Sequence, residues 1–97
     1  MATQFGDKVR ALRIKHNLLL RQVASMLDMD TSIISKIERG ERQIKKEQIP
    51  VLADILHAEK EELMMLWLAD QVYEVVQGEP SAGEALKSVS NKIKKGN

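Results

Sequence analysis

Cysteine is absent from the 97 residues, so disulfides and thiolate metal sites are excluded. A reducing compartment suits such a chain. Proline occurs twice and glycine five times, so helices meet few obstacles, and Phe, Tyr and Trp occur once each. The core must therefore come from Leu, Ile, Val, Met and Ala, a composition that favours helices over a β-sandwich. Long apolar runs are missing too. The longest, Leu63 to Ala69, is far too short to span a bilayer, and the N-terminus is charged from Asp7 onward without an apolar signal core. These features lead us to expect a cytoplasmic protein with no membrane partner.

What is present is an uneven charge. Residues 1–46 hold ten Lys/Arg against five acids, residues 47–79 one Lys against eight acids, and residues 80–97 four Lys against one acid. A basic first half invites a polyanion, although scattered surface charge would look the same, so motifs must decide.

Apolar periodicity predicts an all-α fold, with a first helix from about Gly6 to His16 that buries Val9, Leu12 and Phe5 and stops at Asn17. A second helix, about Leu20 to Leu27, buries Leu20, Val23, Ala24 and Leu27 at i, i+3, i+4 and i+7. Asp28 then occupies a sharp turn, where it tolerates a left-handed backbone. A third helix begins at Asp30 or Thr31, with Asp30 as expected N-cap, Ile34 and Ile37 inward, and Gly40 as its stop. A fourth covers about Glu47 to Leu56, burying Leu52, Ile55 and Leu56, with Pro50 tolerated only in its first turn.

The fifth helix, about Lys60 to Val76, is apolar on several sides. Leu63, Leu66 and Trp67 suit the preceding helices. Met65, Leu68, Val72 and Val76 form a second stripe at i, i+3, i+7 and i+11 that needs another partner. Gly78 and Pro80 break the chain. A last helix, about Ser81 to Lys94, aligns Ala82, Ala85, Leu86, Val89 and Ile93. Either it covers the stripe of the fifth helix or it binds a second subunit. We divide the chain into a domain over residues 1–77 and an appendage over 78–97.

Two short helices around a tight turn, with small Ala24 at their crossing, make a helix-turn-helix. The outward side of its second helix holds Thr31, Ser32, Ser35, Lys36 and Arg39. Short hydroxyls and one ammonium can reach base edges, whereas a merely solvated helix would carry Glu and Lys.

The segments RALRIKHN, LRQVASMLDMDTSIISKIERGER and VLADIL resemble the Xre-type helix-turn-helix family, which includes lambdoid phage repressors and Cro proteins. The resemblance spans roughly Phe5 to Leu63. It implies a compact five-helix repressor-like bundle, here with an extended fifth helix and a short C-terminal one. It also implies a homodimer on double-stranded DNA. Position by position it assigns base reading to Thr31, Ser32, Ser35 and Lys36. Ile33 falls at an edge where it either meets a thymine methyl or fills space. Arg39 falls near the phosphates, and Arg42, Lys45 and Lys46 fall in the loop along the backbone. Arg13 and Glu38 match a salt bridge that fixes the reading helix.

The chain departs from the family where Ser/Thr-Gln usually opens the second helix: Leu19 and Leu20 stand there, so Arg21 and Gln22 become the candidate phosphate contacts. Asp28 replaces the usual turn glycine. The stretch from Ile44 through Val76 is similar to small regulators linked to DNA methyltransferase or restriction–modification genes.

No catalytic signature appears and no cofactor is called for; His57 with Glu61 offers two metal ligands without a third. His16 has no partner in sequence. The expected function is that of a DNA-binding repressor or autoregulator, the stripe Met65, Leu68, Val72 and Val76 supplying its dimer contacts. The alternative is an antitoxin-type module that neutralises a partner protein. The operator and any small-molecule effector are left open.

Overall fold

The computed structural model describes residues 2–96, which form six α-helices and no strand. They are α1 (Gln4–Lys15), α2 (Leu20–Met26), α3 (Thr31–Glu38), α4 (Ile49–Ile55), α5 (Lys60–Val76) and α6 (Ala82–Gly96), with a 3-10 turn over Lys46–Gln48 before α4. The all-α, helix-turn-helix expectation holds. Most helices differ from their expected bounds by one or two residues. At α4 the two residues expected to open the helix belong instead to the separate 3-10 turn.

Four helices end in the same way. The chain passes through a left-handed residue at Asn17 (φ 56°), Asp28 (φ 54°), Gly40 (φ 76°) and His57 (φ 56°). After each, the next N–H reaches back to a carbonyl five residues earlier: Leu18 to Arg13, Met29 to Ala24, Glu41 to Lys36 and Ala58 to Ala53. This Schellman arrangement satisfies carbonyls that would otherwise be orphaned. Asn, Asp and Gly were readable as stops. His57 was not, because His enters this conformation only occasionally. His57 also gives His16 a neighbour: their ring centroids are 4.8 Å apart.

Helix starts are less regular. Asp30 holds the N-cap position of α3, but its side chain makes no capping hydrogen bond, which corrects the expected role. The start of α1 is fully capped. The Thr3 hydroxyl accepts from Gly6 N–H, and the Thr3 carbonyl from Asp7 N–H. Asp70, far along α5, accepts from Gln4 and Phe5 N–H at 3.0 and 2.9 Å. One carboxylate thus satisfies two free donors of α1, faces the positive end of that helix, and ties α5 to it. The sequence gives no hint of a cap from a residue sixty-five positions away.

The core gathers Phe5 and Val9 of α1, Val23 and Ala24 of α2 with Leu27 at its C-cap, and Ile34 and Ile37 of α3. To these it adds Ile44, Ile49, Leu52, Ala53, Leu56 and Leu63. Leu12, Leu20 and Ile55, expected inward, are only half-buried against it. Ile44 was not expected inside; it plugs the loop after α3, and its carbonyl accepts the Trp67 indole N–H at 2.9 Å. Gly6 lets α1 approach α3: a Cβ there would sit 2.5 Å from the Ile37 carbonyl oxygen and 2.7 Å from that of Glu38.

Of the dimer stripe, Met65, Leu68 and Val72 are exposed and Val76 is half-buried. No residue of α6 is buried, so α6 does not close over α5; only Leu86 reaches the groove lined by Met65, Leu68, Val72 and Val76. No described helix is long and apolar enough to cross a membrane.

Candidate nucleic-acid interface

α3 is set by its inner side. Ile34 and Ile37 are buried in the core, and Ile33 packs half-buried against it, which favours space filling over an edge contact. Glu38 is the one buried charged residue among those described. Its carboxylate takes two hydrogen bonds from Arg13, Nε to Oε2 at 2.7 Å and Nη2 to Oε1 at 3.1 Å. Arg13 Nη1 also donates to the Leu18 carbonyl at 3.0 Å. One guanidinium therefore joins α1, the end of α3 and the segment before α2, and no buried side-chain nitrogen or oxygen among the described residues lacks a partner. Such a fork holds angle as well as position.

The outer side is open. Thr31, Ser32 and Lys36 are exposed, and Ser35 is half-buried. None is covered by α4, α5 or α6, so the four proposed readers share one accessible ridge. Two shallow depressions flank it. Leu20, Ser35, Arg10, Arg13 and Arg39 line one together with the acids Asp7, Glu38 and Glu41; Ile33, Arg42, Lys45 and Gln48 line the other. Arg10 was not singled out from sequence, although its position one turn before Arg13 was a usable signal.

Three expected contacts are engaged within the chain. Gln22 turns back so that its Oε1 accepts from Leu19 N–H at 2.7 Å, the Gln half of a capping box whose Ser/Thr half is missing, and its amide NH2 is left as donor. Arg39 forks onto Glu41 at 3.0 and 3.2 Å, and its Nη1 donates to the Ser35 hydroxyl at 2.8 Å. The hydrogen bond from Arg39 and its charge hold the Glu41 carboxyl below the usual range. Arg21, Arg42, Lys45 and Lys46 are exposed. The loop bearing Arg42 and Lys45 is pinned by the Ile44 plug and its Trp67 hydrogen bond, so these cations sit on a fixed strap.

The arrangement is a short helix of hydroxyls and one ammonium between a charge-balanced margin and a basic one, on a frame locked from behind. Such a ridge can donate and accept hydrogen bonds, and the margin with Arg42 and Lys45 attracts anions.

Neither curated proteins nor solved structures give a match to this chain. A family model described as a helix-turn-helix domain matches residues 4–66, from the first helix through the first half of the fifth. With nearly two thirds of its length inside that match, the chain belongs to the DNA-binding helix-turn-helix domain family.

Proposed function

We propose that the protein is a transcriptional regulator of the Xre type that binds a palindromic operator as a homodimer and acts as a repressor, its own gene included. The observation that supports this best is the exposed ridge of α3, with Thr31, Ser32 and Lys36 free beside half-buried Ser35. Short side chains let the helix backbone come close to the major-groove floor. Lys36 donates to guanine O6 or N7, and the hydroxyls donate or accept at several bases. Arg21, Gln22, Arg42, Lys45 and Lys46 hold phosphates and set the register. Two copies place their reading helices about 34 Å apart, one turn of duplex. The likeness of the acidic half to regulators beside DNA methyltransferase genes favours a controller of such an operon. The role is regulatory and not enzymatic, and its setting is the cytoplasm.

In vitro selection of duplex DNA by the pure protein, followed by footprinting, tests this. The expected product is an inverted repeat protected on both halves. Recovery of no preferred sequence would overturn the reading.

The open side of α6 motivates a second reading, in which the tail neutralises a partner protein and DNA binding is secondary. Repeated recovery of one small protein bound through residues 78–97 would favour it.

A further inference from the structure

α6 runs fifteen residues and buries none of them. A helix of that length with no packing is marginal in water, because its first turn is costly to nucleate. Its apolar side chains are not scattered. Ala82, Ala85, Val89 and Ile93 recur at i, i+3, i+7 and i+11, with Leu86 beside them. Met65, Leu68, Val72 and Val76 of α5 have the same spacing. Each stripe is about 16 Å long at the helical rise of ~1.5 Å per residue. Within one chain only Leu86 reaches the α5 stripe, and the rest of both stripes stays uncovered. The turn between the helices, with Gly78 at φ 76° and Glu79 N–H donating to the Val76 carbonyl, sends α6 away from the stripe.

The balance of charge favours one pairing. α5 carries Glu61, Glu62, Asp70 and Glu74 against Lys60, of which Asp70 already caps α1 and Glu62 pairs with Lys8, whereas α6 carries Lys87, Lys92, Lys94 and Lys95 against Glu84. Pairing α5 with a second α5 sets acids together, and pairing α6 with a second α6 sets lysines together. Only a crossed pairing joins opposite signs along stripes of equal length. A two-fold axis produces that crossed pair twice, since each copy offers both halves.

We propose that a second copy of this chain covers these faces, the α6 of each copy packing along the Met65–Val76 stripe of the other in a four-helix interface. This deepens the homodimer invoked above, and its test does not pass through DNA. The natural chain has no cysteine, so single-cysteine variants of the full chain have no background. Val72→Cys is mixed with separately tagged Ala85→Cys or Val89→Cys under mild oxidant. These two partners allow for either relative direction of the helices. A disulfide can then join only two different chains, and only where their Cβ atoms approach within about 4.5 Å.

The expected product is the mixed disulfide with at least one partner, in excess of either like-with-like product. Full-length protein is expected to sediment as a dimer. Val89→Asp is expected to sediment as a monomer that loses no more helix than α6 itself and still binds a single half-site. Predominance of like-with-like disulfides, a monomeric natural chain at high micromolar concentration, or a Val89→Asp chain that stays dimeric would each overturn the proposal. If no operator exists, sedimentation and cross-linking still report on the interface.

Discussion

Arg13 and Glu38 face each other across α1 and α3 in a two-pronged ion pair, with side-chain exposures of only 14% and 5%. Neither charge is free to find water if the other is removed. Glu38→Ala is expected to lower unfolding free energy by about 3–5 kcal/mol, the cost of breaking a buried pair from one side. The double variant Arg13→Met/Glu38→Leu should recover much of that loss. Urea denaturation of Glu38→Ala, of the singles Arg13→Met and Glu38→Leu, and of the double would measure both. A double variant as unstable as the sum of the singles would show that the pair does not act as a unit.

Gly6 lies in the first turn of α1, where helix propensity alone predicts that alanine is better by about 1 kcal/mol. The close backbone of α3 predicts the opposite. A methyl group there meets two carbonyl oxygens, neither of which belongs to a flexible side chain. Gly6→Ala should destabilise by about 1–3 kcal/mol, the usual range for overpacking. Thermal unfolding decides the sign, and a more stable variant would show that α1 can slide away.

Lys36→Ala removes the longest exposed donor among the proposed readers. If Lys36 reads guanine, affinity for the operator should fall by about 1–3 kcal/mol, while binding to unrelated duplex changes little. An equal loss on both sequences, with a shallower salt dependence, would make it a phosphate contact.

Glu41 competes with phosphate for Arg39. Glu41→Gln should tighten binding to any duplex and steepen the salt dependence by about one unit of slope. The pH dependence has a definite sign. Arg39 lowers the carboxyl's pKa, so the contact is intact above the ordinary carboxylate range and is lost as pH falls through the lowered value. Identical salt titrations for Glu41→Gln and the natural chain would show that Arg39 does not reach the phosphates.

Short-range features were legible in the sequence. Asn17, Asp28 and Gly40 announced three helix ends because their side chains, or the lack of one, tolerate a left-handed backbone. The Ile34/Ile37 spacing oriented α3, and with it the exposed ridge. Distant pairings were not legible. Asp70 looks like an ordinary surface acid until the fold brings it to the start of α1, and Gly6 looks like a weak helix residue until α3 lies against it. The Arg39–Glu41 fork was within reach, two residues apart in the sequence, but a reading based on groove contacts treated Arg39 as free. The Arg13–Glu38 pair was anticipated through family resemblance, since two charges twenty-five residues apart do not identify each other.

Trp67 places the chain's one indole on the strap that carries Arg42 and Lys45, half-buried and hydrogen-bonded to Ile44. The molecule therefore contains its own optical probe. If duplex binding pulls on the strap, that hydrogen bond lengthens and the emission of a single fluorophore changes. Binding can then be followed on unlabelled protein, with Trp67→Phe as the silent control.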